Sequence, residues 1–171
     1  VKLRAIAGDL NFGREIESLH DQMIYTGEPF DVAALRGIRE RQMRQLVTPG
    51  RFNAKLSSGG LVDVEYLVQG LQISHGADRP DLRCTNTLDA IQALMQAGVL
   101  APSDAQQLSD AFLFLRSVIG GLRMVRGNAR ELTVPDVSSE EFAFLCRRLG
   151  YDEPDQLAAD LAWHTTSVQE I

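Results

Sequence analysis

Apolar residues in this chain recur every three or four positions, and no stretch alternates apolar with polar residues. A period near 3.6 gathers side chains on one side of a helix, whereas a half-buried strand needs a period of 2. The expected fold class is therefore all-α, a single helical bundle of about six to eight helices over residues 1–171. Length agrees, since 171 residues suffice for one domain with a proper core.

The helices are bounded by recognisable punctuation. The first is expected from about Leu10 to Tyr25, before Gly27-Glu28-Pro29. The second starts after Phe30 with Asp31 as cap and stops at Thr48-Pro49-Gly50. A third runs from Leu61 to Ser74, with Gly76 suited to a left-handed C-cap. A fourth lies between Asn86 and Gly98, and the longest opens at Ser103, where Ser103 and Gln106 have capping-box spacing. Ser138 and Glu141 form a second such box before a short helix, and Pro154 starts the last one. Residues 128–137 read as an internal linker. Within the long helix Gly120 and Gly121 each cost about 1 kcal/mol relative to Ala, so a close helix crossing or a local kink is expected there.

Charge and composition exclude several classes. A net charge of -6 and a pI near 5.0 lack the basic footprint of a nucleic-acid binder. No run approaches the roughly 18 apolar residues that span a bilayer. The densest basic cluster, Arg36, Arg39, Arg41 and Arg44, reads as a solvated helix face. Cys84 and Cys146 fit no metal or redox spacing and read as reduced structural thiols of a cytoplasmic protein. The chain opens at Val1 directly into patterned sequence, as a piece excised from a longer chain would.

No enzyme signature is complete. His20, His75 and His164 share no ligand spacing, and Walker, GxSxG and Rossmann patterns are missing, so no catalytic residue and no metal site is expected within the chain. One segment stands out: Lys55, then Ser57-Ser58-Gly59-Gly60, then Asp63 and Glu65 at a helix start. Backbone N–H groups at a helix N-terminus beside a lysine suit an anion. The chain holds only two lysines, Lys2 and Lys55, against fifteen arginines. The same pattern also fits a tight turn leading into an acid-rich first helical turn. Glu65, Gln69 and Gln72 share one edge of that helix. Asp63 and Glu65 do not form a metal-binding pair, because residues two apart on a helix diverge by about 200°.

The stretch Lys55-Leu56 through Gly59-Gly60-Leu61-Val62-Asp63-Val64-Glu65-Tyr66-Leu67-Val68-Gln69 resembles the K-L-x-x-G-G-[IL]-x-D-[IV]-E-[FY]-x-V-Q motif of glutamine-synthetase adenylyltransferases. A looser version occurs in P-II uridylyltransferases. Lys2-Leu3-Arg4-Ala5-Ile6-Ala7-Gly8-Asp9 is similar to the segment that follows the nucleotidyltransferase domain in that family, so residues 1–9 read as a lead-in from it. Leu82-Arg83 with Asn86-Thr87-Leu88, and Phe112 to Arg116, are similar to two further family segments.

The resemblance implies a helical domain that packs on a nucleotidyltransferase domain in cis and helps form its nucleotide cleft. In the family one half transfers AMP from ATP to a tyrosine of glutamine synthetase, and the other removes it by phosphorolysis. ATP and Mg²⁺ are expected in the intact enzyme, none in this fragment, which is expected to be inactive alone. Carried onto this chain, Lys55, Gly59, Gly60, Asp63 and Glu65 are expected to contact phosphate or close the domain. Lys2, Arg4 and Gln69 form a weaker group. Lys55 and the two glycine amides suit phosphate contact or loop closure, while Asp63 and Glu65 would orient the lysine or position the neighbouring domain. The alternative is an interaction module that docks glutamine synthetase or P-II protein without touching nucleotide.

Overall fold

The computed structural model describes residues 1–128 and 130–171. Ala129, within the linker expected at 128–137, lies outside the described residues. Among the described residues the chain forms seven α-helices and one 3-10 turn, with no strand and a single isolated bridge between Asn53 and Thr133. The helices are α1 Leu10–Ile24, α2 Val32–Leu46, α3 Leu61–His75, α4 Thr87–Gln96, α5 Pro102–Arg126, α6 Glu140–Leu149 and α7 Pro154–Glu170. The all-α class drawn from the periodicity is the class observed. Among the described residues, no helix is long and apolar enough to cross a membrane.

The chain divides into two compact units, one of residues 1–33 with 65–105 and one of residues 34–64 with 106–171. In the first, Asp9 caps α1 by accepting from the Asn11 and Phe12 amides. The polar side of α1 is the side that holds on. Glu17 accepts from the Ala5 amide at 2.6 Å, and Asp21 pairs with Arg83 at 3.4 Å. Phe12, Ile16, Leu19 and Met23, spaced four, three and four residues apart, form an apolar stripe that is exposed. Arg83 lies 4.8 Å above the Tyr25 ring and also donates to the Gly76 carbonyl.

Gly76 corrects an expectation: it is not among the positive-φ glycines. A Cβ there would sit 2.5 Å from both Tyr25 Cδ1 and the Gln72 carbonyl oxygen, so close packing, not a left-handed cap, calls for glycine. Gln72 is fully buried, and its Nε2 donates to the carbonyls of Leu82 and Cys84, which fixes the 3-10 turn Pro80–Leu82. Asn86 caps α4 as expected.

In the second unit, Leu108, Leu115, Val118 and Leu122 bury one side of α5. Truncating any of these leucines to Ala would cost about 2–5 kcal/mol. Gly121 is where α6 comes close: a Cβ would lie 2.7 Å from Leu145 Cδ1. Gly120 faces open space, so only one of the paired glycines serves the crossing. Both expected capping boxes are displaced. α5 begins at Pro102, and the Ser103 hydroxyl turns to Asp104. α6 is capped by Ser139, not Ser138, through the Phe142 amide at 3.1 Å. Gly150, at φ 82°, ends α6 in the left-handed conformation, and Pro154 opens α7. The Tyr151 hydroxyl donates to Asp160, and burial together with that carboxylate pushes its pKa up to about 12.

Candidate functional site

The motif loop is built from its own polar groups. The Asn53 side chain accepts from the amides of Lys55 and Leu56, both at 3.0 Å. The Ser57 hydroxyl accepts from the Asn53 amide at 2.7 Å. Outside the loop, Ala54 donates to the Leu132 carbonyl and Val134 donates to Phe52, which ties the loop to the strand-like segment before α6.

The helix start is closed in the same way. Gly60 donates to Ser57, Leu61 to Ala54, Val62 to Lys55 and Asp63 to Gly60, at 2.8–3.1 Å. The Gly59 amide donates to Asp63 Oδ2 at 2.8 Å. The N–H groups that a helix start leaves unpaired are here consumed by the loop.

Sterics explain both glycines. Gly59 has φ +73°, and a Cβ on it would lie 2.2 Å from the Thr165 carbonyl oxygen on α7. A Cβ on Gly60 would come within 2.8–3.1 Å of the carbonyl oxygens of Ser57, Lys55 and Ala54.

Arg39 on α2 locks the arrangement. Its Nε donates to Asp63 Oδ1 at 2.5 Å and its Nη2 to the Ser57 carbonyl at 2.9 Å, while Nη1 is buried without a partner. The Arg39 side chain is only 12% exposed and Asp63 26%. Arg39 was grouped with the solvated basic face, and that placement is corrected: Arg36, Arg41 and Arg44 are exposed, but Arg39 is not. The available signal was its spacing of four from Leu35 and three from Gln42, both half-buried.

Lys55 and Ser58 are the exposed residues between Asn53 and Gly60, and Lys55 is the charged one. Its backbone is pinned on both sides, and its ammonium has no partner among the described residues. Asp63 is occupied by Arg39 and Gly59, and neither bond reaches Lys55.

The remaining candidates lie in the other unit. Lys2 Nζ donates to Thr87 Oγ1 at 2.7 Å and to the Thr85 carbonyl at 3.0 Å. Burial pushes its pKa down, and the Glu65 carboxylate pulls it back up. Sequence reasoning placed Lys2 and Glu65 in separate groups, whereas the fold brings their charges within mutual influence. Thr87 was named only within the Asn86-Thr87-Leu88 segment that is similar to the family. Arg4 and Gln69 make no side-chain hydrogen bond among the described residues.

Other chemistry is sparse. Cys84 and Cys146 are both free, and burial pushes both thiols up, away from a reactive thiolate. His164 stacks on Phe114 with ring centroids 4.4 Å apart. Among the described residues, no three His, Cys, Asp or Glu side chains gather where they could hold a metal ion.

Fold and site together define an all-α chain with an internally bonded glycine loop that presents one lysine. Residues 33–171 match the family model described as GlnD PII-uridylyltransferase. The chain belongs to that family. A bifunctional glutamine synthetase adenylyltransferase/adenylyl-removing enzyme of Stenotrophomonas maltophilia is 33% identical over 172 residues, covering 95% of this chain and 18% of the relative. Proteins of the same description from Streptomyces avermitilis and Xanthobacter autotrophicus are 35% and 33% identical, over 85% and 99% of this chain. The chain spans less than a fifth of the length of these relatives.

Proposed function

We propose that this chain is a helical accessory region of a cytoplasmic glutamine synthetase adenylyltransferase/adenylyl-removing enzyme, where it completes a nucleotide cleft with a nucleotidyltransferase domain of the same polypeptide. The observation that carries the proposal is Lys55. A backbone fixed by Asn53 and Val62 presents an unpaired ammonium, which is how a preorganised phosphate contact is made. The names of the relatives supply the reaction class.

In this reading the roles divide. Lys55 meets a nucleotide phosphate as a point charge. Gly59, Gly60 and Asp63 close the loop, since both glycine amides and both Asp63 oxygens are already engaged. ATP brings the transferable AMP and Mg²⁺ neutralises its phosphates, with the metal ligands supplied outside this chain. Glutamine synthetase, and P-II protein as regulator, are the partners that follow.

Lys55→Ala in the intact enzyme tests this. AMP transfer or removal should fall by about tenfold or more. Unfolding free energy should stay within about 0.5 kcal/mol of the parent protein, because the side chain makes no internal bond. Full activity in a folded variant would refute the role.

A further inference from the structure

From their middles to their C-terminal ends, α5 and α6 carry exposed apolar side chains that the glycine loop does not use. Leu113 on α5 is 51% exposed, Met124 63%, and Phe144 on α6 56%. Met124, Val125, Phe144 and Arg148 line a hollow of about 330 Å³. Arg148 Nε donates to Met124 Sδ, and the Arg147 guanidinium lies 4.5 Å from the Phe144 ring, so the aromatic and the methionine sit among cations. The close approach of Leu145 to Gly121 holds the two helices together beneath this surface.

The charge here is one-sided. Every charged residue from Leu113 to the end of α5, and from Phe144 to the end of α6, is an arginine: Arg116, Arg123, Arg126, Arg147 and Arg148. Arg126 is spent on Glu141 and Glu131. The other four have no carboxylate partner among the described residues, in a chain whose net charge is -6. A helix dipole favours arginine in a last turn. It does not account for Arg116, which is well inside α5, nor for three large apolar side chains in water beside the arginines. Exposed Met, Phe and Arg together are the composition of an interface centre.

We propose that this α5–α6 face docks an acidic amphipathic helix of a partner protein. The apolar side of that helix would cover Met124 and Phe144, and its carboxylates would meet Arg123, Arg147 and Arg148. From Leu113 to Met124 the α5 stripe runs about 16 Å, three turns of a docked helix. Gly120 midway leaves open space, so no ridge interrupts the stripe.

The test uses the 171-residue chain and two labelled synthetic helices. Both carry leucines at i, i+3, i+4 and i+7, one with glutamates at all other positions and one with lysines. The glutamate peptide should bind, and raising salt from about 0.1 M to about 1 M should weaken it at least about tenfold. Arg147→Glu with Arg148→Glu should have a similar effect. Phe144→Ala should weaken binding without changing its salt dependence. Arg147→Gln with Arg148→Gln, checked for unchanged helicity, covers the chance that charge reversal frays α6. Equal binding of the lysine peptide, or unchanged affinity in the folded arginine variants, would overturn the proposal. So would self-association lost in those same variants, since the occupant would then be the exposed Phe12–Met23 stripe of a second copy.

Discussion

Gly59→Ala should destabilise the 34–64/106–171 unit by more than about 3 kcal/mol, a large part of an ordinary margin of about 5–15 kcal/mol. Two costs add. A residue with a Cβ at φ +73° pays about 1–2 kcal/mol for the left-handed conformation. The new methyl must also displace the Thr165 carbonyl, a backbone atom 2.2 Å away that no rotamer change can move. The same substitution at Gly120 should have the opposite sign. Nothing lies within 4 Å of its Cβ position, and Ala in a helix interior is favoured by about 1 kcal/mol. Urea unfolding of the two variants side by side reads both. Equal shifts in midpoint would mean that the loop does not pack on α7 as described.

Asp63→Ala should cost about 3–5 kcal/mol, because it strands the Arg39 guanidinium in a site where that side chain is 12% exposed. It also removes the acceptor of the Gly59 amide. Removing the cation as well, in Asp63→Ala with Arg39→Met, should recover a large part of the loss, since an apolar pair needs no partner. A double-mutant cycle in denaturant separates the terms. If the two losses simply add, Arg39 and Asp63 are not coupled, and the ion pair is not what clamps the loop.

Periodicity was enough for the helices because burial of an amphipathic face is a local signal. Seven segments and their approximate limits follow from it. The caps were less legible: Ser103 and Ser138 have the right spacing, but Pro102 and Ser139 take the first positions, and choosing among adjacent candidates depends on packing. Gly76 shows the same limit, since the Tyr25 ring that requires glycine there is remote in sequence.

At the site, the motif drew attention to the Lys55–Glu65 segment, but the steric demand for glycine at positions 59 and 60 comes from the Thr165 carbonyl on α7 and from the loop's own carbonyls, which no spacing in the sequence displays. What the pattern could not carry was the partner list. Arg39 meets Asp63 across 24 residues, and its helical spacing from Leu35 and Gln42 sets it apart from the exposed arginines without naming the carboxylate it meets. Whether an amide is free for a ligand or consumed internally is decided by the path of the loop, here the carbonyls of Ala54, Lys55 and Ser57 turning back on the helix start. Lys2 and Glu65 lie in two different matched segments and are related only by the fold.

The bridge between Asn53 and Thr133 has a consequence for when this loop comes into being. Its two strands of contact are about 80 residues apart, so the closure entropy is paid late, after α3, α4 and α5 have been made. In refolding with pulsed hydrogen exchange, the Ala54 amide, bonded to the Leu132 carbonyl, should gain protection after the amides of α5. Simultaneous or earlier protection would contradict that order. During synthesis the delay is longer. At about 5–20 residues per second, Lys55 leaves the ribosome roughly 4–16 s before the segment that holds its loop in place.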